Sequence, residues 1–304
     1  MLNISTFSII ACDRELREFG VAVQSRAFRA GAVVPHVKAG VGAIATQAMG
    51  NLSYGPKGLA LLEQGLSAPE ALQQLLAEDN LREHRQVAII DAQGRLAQHT
   101  GRECLEWAGH ESGKDWAAQG NILASQEVID AMGKAFEETT GILAEKLMAA
   151  LEAGQEAGGD KRGQQAGGIV VVRPNAFFDG PYDRIVDIRV DDHTEPIKEL
   201  RRLLDIALPL VHLLTTRLFL ERGESQKARE LLDRALGVQP EQPMLRMALA
   251  GYYAHTGQKA QAFSEIEQLL VKAGNDRASF VRYLKTNVLF RPLHGDAEFQ
   301  KLLG

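Results

Sequence analysis

Apolar and polar positions change their spacing several times along this chain. Residues 6–12, 19–25 and 41–47 run apolar or alternate, with β-branched side chains among them, and predict strands. Asp13-Arg14-Glu15 opens the first turn. From Gly58 to Gly65 and from Ala68 to Glu78 the spacing is helical, with Leu59/Leu62 and Leu72/Leu75/Leu76 on the apolar faces. Residues 86–91 and 95–99 flank Ala92-Gln93-Gly94 and predict a hairpin. Trp116 to Asn121 predicts another strand. Ser125 is placed to N-cap a helix through about Glu138, with Val128, Ile129, Met132 and Phe136 facing the core. A second amphipathic helix follows over Ile142–Ala153, then strands over 168–173 and 185–190. This order fits two antiparallel sheets held between helix layers.

From about His193 the pattern is helical only, which predicts a domain of residues 1–193 and another of 194–304. The second part carries an internal repeat. Gly223, Ala228, Ala235 and Pro240 recur 34 residues later as Gly257, Ala262, Leu269 and Gly274, and Leu232 and Leu236 map onto Ile266 and Leu270. A helix-turn-helix period of that length, with small residues where helices touch, resembles tetratricopeptide repeats. About two repeats are visible, so they are expected to pack on a helix over 195–222.

Composition narrows the class. At 304 residues the chain is long enough for two cores, and 45% hydrophobic with 24% charged residues is ordinary for a globular protein. A net charge of −5 argues against nucleic acid as a partner. Two cysteines, Cys12 and Cys104, supply no disulfide framework, which fits a reducing compartment. No apolar run reads as a membrane span, and Met1–Ser5 has no basic segment of a signal peptide. The expected location is the cytoplasm.

Chemistry gathers near the start. A Thr at the head of a strand can act as nucleophile and base together if it is N-terminal. Its hydroxyl attacks and its α-amine, with a pKa of about 8, takes the proton. Thr6 heads such a strand, but residues 1–5 precede it. They must be removed, at Ser5-Thr6 or otherwise, or the functional start must differ, because an internal Thr6 has no α-amine. Oxyanion donors are expected from Gln47 to Asn51 after the third strand, and from Asn121. Tyr54-Gly55-Pro56 reads as a turn. Gly158-Gly159-Asp160-Lys161-Arg162-Gly163 joins a helix to a strand, where its glycines let backbone approach a ligand. Asp160 and Arg162 are substrate-binding candidates there, Arg162 as a fork for a carboxylate. No phosphate-loop pattern occurs. His99, Cys104 and His110 match no zinc spacing, so the histidines are expected at a pocket rim and Cys104 in the core. No metal or cofactor is expected.

The region from Thr6 to about Asp191 resembles a bacterial family of unknown function predicted to be N-terminal-nucleophile (Ntn) hydrolases. The matching stretches are Thr6-Phe7-Ser8-Ile9, Gly20-Val21-Ala22-Val23, Gly31–Pro35, Ala45–Ala48, Tyr54-Gly55-Pro56, His99-Thr100-Gly101, Trp107–His110, Gln119-Gly120-Asn121 and Gly159–Gln164. The resemblance implies an α+β fold, a four-layer αββα sandwich, followed here by the tetratricopeptide-like helices. It implies Thr6 as nucleophile. In proteasome-like members a Lys 32 residues on, here Lys38, lowers the proton affinity of the nucleophile. Ser25-Arg26 resembles the Ser-Arg after the second strand, with Ser25 as partner of the α-amine, but Gln24 stands where a carboxylate is expected. The expectation is an amidase for a linear C–N bond of a small carboxylated metabolite or short peptide. The alternative is a silent scaffold whose helices recruit a protein, and a homodimer follows by analogy with Ntn folds.

Overall fold

The computed structural model describes residues 3–4, 6–177 and 182–304. Contacts divide the chain into two units, Met1–Leu204 and Asp205–Gly304. The strands of the first unit are β1 (Asn3–Ile4), β2 (Thr6–Asp13), β3 (Glu18–Ser25), β4 (Pro35–Lys38), β5 (Gly42–Met49) and β6 (Arg85–Asp91). They continue with β7 (Leu96–Thr100), β8 (Gly109–Gly113), β9 (Trp116–Asn121), β10 (Ala166–Val172) and β11 (Arg184–Val190). The helices are α1 (Ala30–Val33), α2 (Tyr54–Glu63), α3 (Ala68–Ala77), α4 (Glu127–Glu138) and α5 (Leu143–Glu156).

Two antiparallel sheets result. One has the order β1-β5-β6-β7, with β4 also on β5; the other runs β11-β10-β3-β2-β9-β8. The reason lies in the strands. β2 and β3 are buried on both faces, so alternate residues must meet different layers. Ile10, Cys12, Phe19, Val21 and Val23 meet Ala43, Ala45, Ala88 and Ile90 of the other sheet. Phe7 points the opposite way, toward Gly154 of α5. α4 and α5 cover this second sheet, while α2 and α3 cover β5, β6 and β7. Tyr54, Leu62, Leu72 and Leu75 pack there on Ile44, Val87 and Ile89. The chain is therefore mixed α+β with antiparallel sheets and a C-terminal helical region.

Several elements depart from the sequence expectation. Tyr54-Gly55-Pro56 is the first turn of α2 rather than a separate turn. Pro suits that position, because the first amides of a helix need no internal acceptor. β4 and β8 are strands that the periodicity left unassigned; each has an exposed or half-buried pattern with no apolar run. The division between units falls not at 193 but within α6 (Pro196–Glu221), because Ile197, Leu200 and Leu204 are buried and Leu200 reaches Gly167 of β10. α6 is also long and apolar enough to cross a membrane, contrary to the expectation that no segment is, although most of its apolar window is buried in the folded chain.

The second unit continues with α7 (Ser225–Val238), α8 (Pro243–His255), α9 (Lys259–Lys272), α10 (Arg277–Thr286) and α11 (Ala297–Leu303). α7 and α9 are both 14 residues long and are offset by the 34-residue period. Gly223 and Gly257 precede them with φ of 75° and 76°, a left-handed conformation that suits glycine after a helix end. Ala228 and Ala262, also one period apart, are fully buried.

Backbone packs directly on backbone where α1 meets β10. A Cβ on Gly31 would lie 2.7 Å from the Gly167 carbonyl oxygen and 3.1 Å from Gly168 Cα. No flexible side chain can yield there. Gly31→Ala is expected to cost about 1–3 kcal/mol by overpacking. Urea denaturation checks this, and an unchanged midpoint would show that the strand and helix can separate freely.

Candidate functional site

The registers of three strands bring Ser25, Thr6 and Asn121 into one row. Thr6 is opposite Ser25 on β3 and opposite Asn121 on β9. Side chains at paired positions share a face, and this row faces the other sheet, as Ile10 and Cys12 do further along β2. All three residues are buried. The inward face thus changes along β2, from Ile10 with Val21 and Ala117, to Ser8 with Val23 and Gln119, to the polar row itself.

The facing sheet answers with two glutamines paired across β5 and β6, Gln47 and Gln86. Gln47 Nε2 donates to the Thr6 carbonyl oxygen at 3.2 Å and to Gln86 Oε1 at 2.8 Å. Ser8 Oγ donates to Gln47 Oε1 at 2.7 Å, and Asn121 Nδ2 donates to Gln86 Oε1 at 3.0 Å. Gln86 Nε2 donates to the carbonyls of Gly120 and Gly109 and to Thr100 Oγ1. Gln119 Nε2 donates to the Ala45 carbonyl at 3.0 Å. A buried amide left without partners is costly, so this network favours one sheet-to-sheet alignment.

A strap crosses the end of the row. The carboxylate of Asp160 accepts from the Arg26 N–H at 3.1 Å, one residue beyond Ser25. The next residue, Lys161, donates its N–H to the Ile122 carbonyl at 3.0 Å, one residue beyond Asn121. β3 and β9 flank β2, so Asp160 and Lys161 bridge the gap above the start of β2. Gly158, Gly159 and Gly163 turn the strap, with φ of 114°, 55° and 100°. Two non-glycine residues beside the site also have left-handed backbone, Ala48 at 64° and Ile122 at 54°. For a β-branched residue such as Ile122 this conformation is strained, and strain of this kind gathers at functional sites.

The expected residues fare differently. Thr6, Ser25, Asn121, Gln47 and Asp160 lie together. Gln47 holds the Thr6 carbonyl within the network, so its amide is already engaged there rather than presented as an oxyanion donor. Lys38 is elsewhere. It pairs with Gly42 at the opposite end of β5 from Gln47, roughly 16 Å away at strand rise, and forms an ion pair with Glu63 at 2.5 Å. Spacing along the chain matched, but the β4–β5 turn carries Lys38 away. Asn51 donates to Asp79 at 3.1 Å and accepts from Ser53, so it braces a loop. Arg162 is clamped on Asp160, at 3.2 Å from Nε and 3.0 Å from a terminal nitrogen, and stiffens the strap instead of offering a free fork. Gln24 pairs with Phe7 and faces the helix side, so it cannot stand in for a carboxylate at Thr6. The Ser5-Thr6 junction has Ser5 outside the described residues.

The remaining candidates are inert or peripheral. Burial pushes the Cys12 thiol up to about 12 and the Cys104 thiol up to about 11, so neither is a thiolate near neutrality. Cys104 is half-buried rather than core. His99 Nε2 bonds the Arg82 carbonyl, and His110 Nδ1 bonds Thr100 Oγ1 at the flank of the glutamine network. Among the described residues no three His, Cys, Asp or Glu side chains converge to hold a metal. Clefts of about 590 and 380 Å³ open at the other end of β2, around Cys12, Asp13 and Arg14.

Sequence reasoning missed Ser8, Gln86 and Gln119. Each is a polar residue at an alternating position of a buried strand, facing the same way as apolar neighbours two residues on, such as Ile10 after Ser8 and Ala88 after Gln86; their convergence needs the register. It also missed the ion pair that anchors this end. Arg85 Nε donates to Asp79 Oδ2 at 2.9 Å, and Arg85 also bonds the Met49 carbonyl at the end of β5. Tyr54 Oη donates to the same carboxylate at 2.9 Å.

A family described as "Family of unknown function (DUF1028)" matches residues 6–200. Among solved structures, the chain is similar to protein SPO2555 from Silicibacter pomeroyi, assigned to the same family. That match has 30% identity, a TM-score of 0.61, and covers 67% of this chain and 86% of that one. No curated protein matches.

Burial pushes Asp79 upward, but hydrogen bonds from Arg85, Asn51, the Leu81 N–H and Tyr54 outweigh it and hold the carboxyl well below the usual range. A depressed carboxyl stabilises the fold fully above its unfolded pKa of about 3.9, and less as pH falls toward the folded value. Asp79→Asn is therefore expected to cost about 2–4 kcal/mol at pH 7. The gap to the parent should narrow below about pH 4. Denaturation across pH checks it; a gap that stays constant into acid would mean the charge contributes nothing.

Proposed function

The chain belongs to the DUF1028 family, and we propose that it is an Ntn-type amidase, with Thr6 as nucleophile once residues 1–5 are gone. The observation that carries this reading is the buried row Ser25–Thr6–Asn121 beneath the Asp160 strap. Removal of the preceding residues creates an α-amine on Thr6, at the level of the sheet where the strap crosses. Asp160 on the strap and Ser25 on the neighbouring strand then orient that amine. In the reaction the neutral amine takes the Thr6 hydroxyl proton as Oγ attacks the amide carbonyl. The oxyanion is held by donors at the Asn121 side. The proton passes to the leaving nitrogen as the C–N bond breaks, and water hydrolyses the resulting ester. The substrate is a small carboxylated amide or a short peptide.

The layering of helices, sheets and helices supports an Ntn-like αββα sandwich, and the 34-residue offset of α7 and α9 supports a tetratricopeptide-like second unit. One observation favours the alternative, a silent scaffold whose helices recruit a protein: Thr6 is internal to the chain and fully buried.

N-terminal sequencing and intact mass separate the two readings. The active protein is expected to begin at Thr6, and Thr6→Ala is expected to lose amidase activity on the order of 10³-fold or more with its fold intact. A suitable screen uses p-nitroanilides of short carboxylated acyl groups. Hydrolysis by a protein that keeps Met1, or by folded Thr6→Ala, would end the proposal.

A further inference from the structure

One edge beside the row is filled by the chain itself. β1 lies antiparallel on β5, with Asn3 opposite Met49 and Ile4 opposite Ala48. β5 has β6 on its other side. Its outer edge is shared: β4 covers Gly42–Ala45, and β1 alone continues it past Gln47. That stretch is next to the nucleophile, because Gln47 Nε2 holds the Thr6 carbonyl. It is also distorted, since Ala48 has φ 64°. Two residues of ladder are little to hold a strand, and the removal of residues 1–5 that the amidase reading requires takes β1 away. What remains is an uncovered strand edge beside Thr6, whose backbone groups seek partners.

The surroundings suit an apolar chain. Large apolar side chains are exposed on two loops at this end of the sheets: Phe28 beyond Ser25 and Leu52 beyond Met49.

We propose that the β5 edge at Ala48–Met49 binds an extended apolar peptide as an added antiparallel strand, in the place β1 now fills. Main-chain hydrogen bonds supply the affinity, and the exposed apolar side chains select the sequence. This names a peptide as the substrate class of the site and rests on the amidase reading for cleavage, but not for binding.

Hydrogen exchange on the full-length chain tests it. In an antiparallel pair, neighbouring residues point their N–H groups to opposite sides. Of Asn3→Pro and Ile4→Pro, one therefore breaks the ladder to β5. It is expected to speed exchange at the β5 edge amides about tenfold or more, with β2 and β10 still protected as a sign of an intact fold. The peptide acetyl-Met-Leu-Asn-Ile-Ser-amide, at millimolar concentration, is expected to restore that protection, and to do so equally in a Thr6→Ala background. The fluorescein-labelled peptide is expected to bind that proline variant at least fivefold more tightly than the parent. Unchanged exchange in both variants, no restoration by the peptide, or equal binding to parent and variant would each overturn the proposal. Restoration by a peptide that the processed protein never cleaves would leave the binding edge standing and remove the amidase.

Discussion

The alignment of the two sheets depends on a buried amide seam. Gln47 and Gln86 reach from one sheet to Thr6, Ser8, Gly120 and Asn121 of the other. Apolar contacts elsewhere in the interface, such as Ile10 on Ala43 and Ala88, tolerate small slides, because dispersion has little direction. The amides do not. A slide of one sheet over the other by a residue's rise would carry Gln47 and Gln86 off the Thr6 and Gly120 carbonyls and leave buried donors without partners. The seam therefore sets the alignment, and the alignment sets where the Thr6 row lies.

The same constraint separates the two ends of the first unit. At the Thr6 end the strand termini are braced from both sides. Arg85, Asp79 and Tyr54 fasten the end of β5 and the start of α2, and the Asp160 strap closes over β3 and β9. Strained backbone at Ala48 and Ile122 persists because these braces over-determine it. At the other end the lining is charged and open, with Arg14 bonded to Asp115 in the cleft wall. Cys12 lies there with its thiol held protonated by burial.

Much of the fold was legible in the chain. β2, β3, β5 and β10 are buried on both faces, so their apolar runs announced them. α4 showed its buried face at Val128, Ile129, Met132 and Phe136. The helical second unit was legible through its period, because Gly223 and Gly257 meet the same turn requirement one period apart. β4 and β8 were not, since half-exposed strands need no apolar pattern, and neither was the continuation of α6 across the boundary between units. Of the site, Thr6, Ser25, Asn121 and Asp160 could be proposed from a dispersed resemblance, while Lys38, Asn51 and Arg162 could not be excluded.

The sequence by itself determined which segments become strands and helices, the helical repeat, and the presence of a hydroxyl at the head of a buried strand. Those are consequences of local spacing and side-chain type. Only the tertiary structure decided which polar residues meet. Strand pairing joins positions far apart in the chain, and a turn such as that between β4 and β5 can send a well-spaced residue to the wrong end. Lys38 was lost to Thr6 in this way and given to Glu63. Gln86 was gained, because the pairing of β5 with β6 places it beside Gln47, where its amide finds the Gly109 and Gly120 carbonyls as partners.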